Sequence, residues 1–276
     1  MSYTPPIPHS SAARRRGFTL IELLIVVGII AVLAGLFLST FGRARNAAAG
    51  VTCASNLRQL GMAMHLYAQQ NDGAFPASAN SNTTGKDLPH DWVHWQGPDP
   101  LKVIDKSAIA PHVRARGQGL QKLLRCPSDS VESHVVPYPY SYSMNYLLSS
   151  EIGKGFNGGV VPRLAAINRP AEKIILAEEN ERTINDGYWR PGEYLDNNGE
   201  RSRWVCEWDY LSVRHDSKQA EYHAPKAGVL PKQRYRGYVA FVDGHVEFVT
   251  RKYAHDPRHL LPSNEGSGEV PPDPEP

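Results

Sequence analysis

The sequence predicts an α+β protein in which a long N-terminal helix packs on a small antiparallel sheet. The helix is indicated by an apolar run over residues 18–38 and by a proline-free continuation, rich in helix formers, that reaches Gln70. The sheet is indicated by clusters of apolar and β-branched residues between 173 and 250, the last two of which flank Asp243 and Gly244.

Composition excludes several classes of protein. The chain has 276 residues with 30 basic and 28 acidic side chains, so its net charge of +2 does not mark a nucleic-acid-binding protein, and no nucleic-acid partner is expected. The three cysteines, Cys53, Cys126 and Cys206, are too few and too scattered for a disulfide scaffold or for paired zinc knuckles. An oxidising compartment would allow one bridge, and three pairings are then open.

The N-terminal region combines a basic cluster with an apolar segment of membrane length. Residues 1–13 show no periodicity and are expected to be disordered, and Arg14–Arg16 follow them. From 18 to 38 the only ionisable group is Glu22, and a helix of this length rises roughly 31 Å, which matches the hydrocarbon core of a bilayer. We therefore predict a transmembrane helix over 18–38. The arginines that precede it favour a cytoplasmic N-terminus.

The helical pattern continues beyond the membrane segment. Residues 39–72 are predicted to extend the helix as an amphipathic segment, which ends at "NDGAFP", Asn71–Pro76. Its apolar side chains recur at spacings of three and four and are expected to face a globular core. These side chains are Val51, Ala54, Leu57, Leu60 (or Gly61), Met64 and Ala68.

The remainder is predicted as a loop-rich globular domain over 73–261 and a disordered acidic tail over 262–276. Asp243-Gly244 is the signal for a two-residue type I′ hairpin turn. Strands are predicted at 173–177, 204–213, 237–242 and 245–250.

Glu22 separates the alternatives for the apolar segment. A cleavable secretory signal also joins basic and apolar residues, and Ala47–Ala49 could form its cleavage site, but its apolar region is usually only about 7–15 residues long. A plain membrane anchor leaves Glu22 unexplained, because an ionised acid in lipid costs of order 2.5–3.5 kcal/mol at mid-span. An acid in this position therefore indicates a function.

The segment "GFTLIELLIVVGIIAVLA", Gly17–Ala34, resembles the N-terminus of type IV pilins and type II secretion pseudopilins. The resemblance implies that residues 1–17 are a leader peptide, that a prepilin peptidase cuts between Gly17 and Phe18, and that Phe18 becomes N-methylated. It also implies that Glu22 pairs with the terminal amine of a neighbouring subunit during assembly. Two opposite charges buried together cost less than either alone, which agrees with such a pairing.

This resemblance implies a pilin-like fold and a structural subunit of a type II secretion pseudopilus or a type IV pilus-like filament. The partners would be a prepilin peptidase and methyltransferase, other pilin or pseudopilin subunits, and an inner-membrane assembly platform. The chain would be a single-pass inner-membrane protein with a cytoplasmic N-terminus and a periplasmic or extracellular globular domain, and it would not be an enzyme. The alternative is a membrane-anchored or secreted carbohydrate-binding or enzymatic domain that uses the helix only for export.

Three later segments resemble a pseudopilin-like family common in planctomycetes. That family often carries a His, nine further residues and then Asp-Gly; here Gln233 stands ten residues before Asp243, and the candidate His215 lies 28 residues before it, so the motif is interrupted. The resemblance favours a disulfide between Cys53 and Cys126; the alternative is two free thiols. The segments are "CASNLRQLGMAMHLYAQQNDGAFP" at 53–76, "CPSD" at 126–129 and "FVDGHVEF" at 241–248.

Three further groups of residues could bind or react. His215 and Asp243 are candidates for a metal site, for which the resemblance suggests calcium; the alternative is that Asp243 only forms a turn, and no other cofactor is expected. Glu178, Glu179 and Glu181 could be catalytic acids, but a solvated loop is the favoured interpretation. A carbohydrate-binding platform is possible for the tryptophans, although core packing is favoured for Trp92, Trp95, Trp189, Trp204 and Trp208.

Overall fold

A computed structural model describes residues 19–79, 86–97, 99–134, 136–150, 161–190, 209–216 and 234–263. The chain divides into two compact units, residues 1–45 and 46–276. Several sequence-based predictions lie outside the described residues. They concern the leader and its cleavage site at Gly17 and Phe18, residues 204–208 of the strand predicted over 204–213, Cys206, and the tail from 264.

Helix α1 spans Leu20–Gln70, and its first turn is capped by the side chains of Thr19 and Glu22. The Thr19 hydroxyl oxygen accepts the Glu22 N–H at 3.2 Å, and a Glu22 carboxylate oxygen accepts the Thr19 N–H at 2.8 Å. This is the reciprocal arrangement of a capping box, which satisfies two backbone donors that have no partner within a helix.

The part of α1 in the first unit has the length and composition of a membrane span. Leu20–Phe37 has a mean hydropathy of 2.9, and none of this segment is buried by the described part of the chain. Among the described residues it is the one helix that meets both criteria. An apolar surface of this extent needs lipid or other helices to cover it.

The part of α1 in the second unit packs on the globular core through one face. Val51 is wrongly included in the predicted stripe, because it is 69% exposed. Val51 and Leu57 are six residues apart, which places them about 120° apart around a helix with 3.6 residues per turn. The buried stripe begins at Cys53 instead and continues through Leu57, Leu60, Ala63, Met64 and Ala68.

Five strands form one sheet with the order β3-β1-β2-β4-β5. All neighbouring strands are antiparallel except β1 and β3, which are parallel, so the α+β prediction is confirmed but the sheet is mixed. Strand β3 is held in place by Trp92, whose indole N–H donates to Gly187 O at 2.8 Å. The strands are β1 (Tyr142–Asn145), β2 (Ile174–Glu178), β3 (Tyr188–Trp189), β4 (Arg236–Phe241) and β5 (Val246–Thr250).

The turn between β4 and β5 is not the predicted two-residue type I′ turn. Phe241 N donates to His245 O at 2.9 Å, so the loop contains three residues, and only Gly244 among them has positive φ, at 93°. A type I′ turn requires positive φ at both central residues. The loop begins one residue earlier than predicted, at Val242, which is buried and donates its N–H to Lys173 O at 2.8 Å.

Both faces of the sheet are covered. One face packs against α1, where the buried core includes Leu57, Leu60 and Ala240. The opposite face carries a second apolar cluster that includes Trp189, Phe241 and Leu260. The remaining α-helices are short: α2 (Pro100–Val103), α3 (Gln118–Leu123) and α4 (Arg251–Ala254).

A buried imidazole contacts Trp189 and Leu211 of the second cluster and makes the stability of the fold sensitive to acid. His255 is 3% exposed, and its Nε2 accepts the Leu211 N–H at 3.2 Å. Burial, followed by the charge of Arg251, lowers the pKa of His255 to about 3. The folded state therefore stays unprotonated while the unfolded state takes up a proton below pH 6.5, so the stabilisation is complete above that pH and is lost as the pH falls towards 3.

We expect the free energy of unfolding to fall by about 2 kcal/mol between pH 7 and pH 5, because His255 takes up a proton in the unfolded state and not in the folded state. Denaturant unfolding of the full chain in detergent, followed by tryptophan fluorescence, measures this slope. The variant His255→Gln keeps a hydrogen-bond acceptor that does not titrate in this range. Its free energy of unfolding should therefore lack this decrease between pH 7 and pH 5. An unchanged slope in the variant would contradict the assignment.

Candidate functional site

Four side chains with metal-binding or nucleophilic atoms meet in the globular unit. Their sulfur, nitrogen and carboxylate oxygen atoms all lie within 4.8 Å of one another. Cys53 comes from α1, Cys126 from the loop after α3, Glu178 from the end of β2, and His215 from the described segment 209–216. We call these four residues the Cys-Cys-Glu-His cluster.

Backbone hydrogen bonds bring three of these elements together. Cys126 N donates to Ser141 Oγ at 2.9 Å, and Glu179 N donates to Ser141 O at 3.0 Å, so Ser141 joins the loop after α3 to the end of β2. Ser212 N donates to Glu178 O at 2.7 Å. This bond attaches the segment containing His215 to the same strand end.

The two sulfur atoms have different surroundings. The Tyr142 hydroxyl lies 3.0 Å from Cys53 Sγ, and Asn56 Nδ2 lies 3.4 Å from the same hydroxyl oxygen. Because Asn56 can only donate there, the Tyr142 hydrogen is available to the sulfur. Cys126 Sγ lies 3.1 Å from His215 Nε2 and accepts the Ser128 N–H at 3.4 Å.

These surroundings shift the pKa values of the two thiols in opposite directions. Burial raises the pKa of Cys53, and its hydrogen bond with Cys126 and the charge of Glu178 raise it further. Burial also raises the pKa of Cys126, but its contacts with Cys53 and His215 and the charge of Arg214 outweigh that effect and lower it overall. Cys126 is therefore the more acidic and more nucleophilic thiol of the pair.

Arg214 joins the cluster to a buried ion network. Its Nη1 lies 3.0 Å from Asp129 Oδ2 and 3.2 Å from Glu178 Oε1, and its Nη2 donates to Glu179 O at 2.9 Å. Burial raises the pKa of Glu178, but the charge of Arg214 and the contact with His215 lower it by more. Burial likewise raises the pKa of Asp129, but its contacts with His134 and Arg214 lower it by more.

His215 carries the second positive charge of the cluster. Its Nε2 lies 3.4 Å from Glu178 Oε1, and its side chain is 3% exposed. Burial lowers the pKa of His215, but the contacts with Cys126 and Glu178 raise it more, to about 9. Without a bound cation, Arg214 and His215 therefore balance the charges of Glu178 and Asp129 at neutral pH.

The structure brings together some of the residues singled out from the sequence. Cys53 and Cys126 meet in the cluster as free buried thiols, and a disulfide between them stays a prediction. His215 lies in the cluster, whereas Asp243 is in the β4–β5 turn and contacts the His245 ring instead. The two metal candidates from the sequence are therefore not neighbours within this cluster.

Glu178 and Glu179 were wrongly expected in a solvated loop, because both are 0% exposed. Glu178 ends β2, and Glu179 accepts a hydrogen bond from the Ser143 hydroxyl. Two acids that directly follow the apolar run "KIILA" were the available signal for a buried charge. Trp92 and Trp189 are fully buried and do not form an exposed platform for sugars.

Comparison with known proteins identifies the N-terminal segment. Residues 12–38 match the family described as the prokaryotic N-terminal methylation motif. Searches of curated proteins and of solved structures found no significant match to the chain. The matched residues include Gly17, Phe18 and Glu22 and overlap the apolar helix of the first unit. The match supports a type IV pilin-like precursor that is processed by prepilin peptidase, and the apolar helix, the one of membrane length among the described residues, supports a membrane anchor.

Proposed function

We propose that the chain is a structural subunit that assembles through its N-terminal helix into a type II secretion pseudopilus or a type IV pilus-like filament. The main support is that the match to the methylation motif at residues 12–38 includes Leu20–Phe37, an apolar segment that is exposed in the described part of the chain. Lipid would cover this surface before assembly, and the helices of neighbouring subunits would cover it afterwards.

The proposal names the partners by the steps they carry out. A prepilin peptidase and methyltransferase would process residues 1–18, an inner-membrane assembly platform would receive the mature chain, and other pilin or pseudopilin subunits would bind its helix. The globular unit would lie on the periplasmic or extracellular side, as the arginines before the span favour. The chain has no catalytic role in this proposal.

We expect the mature chain isolated from membranes to begin with N-methylated Phe18. Peptide mass spectrometry of the N-terminus measures both the cut and the added methyl group. In Gly17→Leu the leader should remain attached, whereas Gly28→Ala should be processed normally, because an added Cβ at Gly28 meets nothing within 4 Å. A mature chain beginning at Gly50 would instead support the secretory-signal alternative.

A further inference from the structure

We propose that Cys53, Cys126, Glu178 and His215 bind one divalent transition-metal ion, with zinc as the best fit. Zinc prefers thiolate, imidazole and carboxylate ligands in tetrahedral geometry, and the cluster offers two sulfurs, one ring nitrogen and one carboxylate. Calcium and magnesium take oxygen ligands, so the same set of side chains excludes them.

The distances between the ligand atoms fit a tetrahedral centre. Zinc bond lengths of about 2.0–2.3 Å separate neighbouring ligand atoms by roughly 3.3–3.8 Å. His215 Nε2 lies 3.1 Å from Cys126 Sγ and 3.4 Å from Glu178 Oε1, and no pair in the cluster exceeds 4.8 Å. Small side-chain movements are therefore enough to enclose an ion.

Glu178 supplies an independent observation. Its side chain is 0% exposed, yet within the described part of the chain neither carboxylate oxygen accepts a hydrogen bond of good geometry. A buried carboxylate normally accepts such hydrogen bonds, whereas Glu178 has ion-pair contacts with Arg214 at 3.2 Å and with His215 at 3.4 Å. An ion held between the two sulfurs and His215 would satisfy the carboxylate.

The hydrogen-bond donors around the two sulfur atoms also suit a metal centre. The Tyr142 hydroxyl, itself hydrogen bonded to Asn56, is placed to donate to Cys53 Sγ, and the Ser128 N–H points at Cys126 Sγ. Donors to coordinating sulfur hold the ligands in place and moderate their negative charge. Two thiolates and one carboxylate carry one more negative charge than zinc neutralises. Arg214 lies 3.2 Å from Glu178 and 3.0 Å from Asp129, so its positive charge is shared between the centre and Asp129.

Metal binding and the predicted disulfide exclude each other at this site. Zinc requires both sulfurs as thiolates, whereas a bridge between Cys53 and Cys126 would remove two electrons and two protons from the same pair. The oxidation state of the isolated chain is therefore part of the test.

The first measurement uses the full chain in detergent, isolated from cells without reductant. We expect about one zinc per chain by elemental analysis, with Cys53 and Cys126 alkylated by a thiol reagent only after chelation. A chain that holds no zinc and has these cysteines bridged would overturn the proposal.

The second measurement uses the reduced, metal-free chain titrated with Co²⁺. We expect a thiolate-to-cobalt charge-transfer band that saturates at one equivalent and is displaced by Zn²⁺. The band should be lost in Cys126→Ser and unchanged in Cys206→Ser. A band that is absent from the unaltered chain, or that depends on Cys206 instead of Cys126, would refute the assigned ligands.

Two milder variants keep the test valid if a ligand variant fails to fold. Tyr142→Phe preserves the packing but removes the donor to Cys53, and it should weaken Co²⁺ binding by about 10–100-fold. Asp243→Asn changes the metal candidate that lies outside the cluster and should leave binding unchanged. The proposal fails if Asp243→Asn weakens binding and Tyr142→Phe does not.

Discussion

Glu22→Ala is expected to abolish incorporation into filaments while leaving leader cleavage intact. In the assembled state the acid would lie in an apolar bundle of helices. The free-energy cost of burying its charge would be offset there only by a partner charge, such as the amine of a neighbouring Phe18. The proposed cut between Gly17 and Phe18 would not require this pairing, because the amine of Phe18 is free only after the cut. Sheared filament fractions analysed by immunoblotting, beside the processed chain in membranes, measure the two steps separately.

The capping box formed by Thr19 and Glu22 gives a competing explanation of the acid, and it can be tested. Glu22→Gln keeps a side chain that can accept the Thr19 N–H but removes the charge. We expect Glu22→Gln to fail in assembly as Glu22→Ala does, and Thr19→Ala to assemble because its acid remains. Normal filaments from Glu22→Gln would show that capping, not charge pairing, is the role of Glu22.

Arg214→Met is expected to lower the free energy of unfolding by about 3 kcal/mol, because it leaves two buried carboxylates without their shared cation. The Asp129 and Glu178 side chains are 1% and 0% exposed, and Arg214 lies within 3.2 Å of both. Denaturant unfolding of the full chain in detergent measures this loss. A chelator should be present, so that no metal ion compensates Glu178.

A matched control exists on the surface of the same unit. The Arg258 side chain is 68% exposed and pairs with Asp256, so the equivalent change, Arg258→Met, should cost less than about 1 kcal/mol. Equal decreases in the free energy of unfolding of the two variants would contradict the view that Arg214 stabilises the fold because its ion pairs are buried. His134 and His215 remain in contact with Asp129 and Glu178, respectively, in Arg214→Met.

Periodicity and local signals were sufficient for the elements whose causes are local. The span and its continuation in α1 follow from hydropathy and from spacings of three and four, and β2, β4 and β5 follow from short β-branched runs. The N-terminal motif was readable because it is a continuous linear sequence that does not depend on the rest of the fold. Strand β3 was not predictable, since it has two residues and is held in place by Trp92, which is distant in sequence.

The cluster could be anticipated only in part. Sequence resemblance singled out Cys53, Cys126 and His215 separately, but it linked His215 to Asp243 and passed over Glu178. The four residues are spread over more than half the length of the chain, and no spacing rule relates them. They meet because α1 packs on the sheet face next to the end of β2, and because Ser212 attaches the segment with His215 to that end.

The sequence alone therefore determined the apolar helix of membrane length, its acid and the methylation motif, since hydropathy and a linear motif act without the rest of the fold. Tertiary structure alone decided which charges are buried and which side chains meet. Burial of Glu178 and its neutralisation by Arg214 arise from long-range packing, and the same packing assembles the proposed metal ligands. Contacts of this kind depend on which strands and loops become neighbours, which local patterns do not specify.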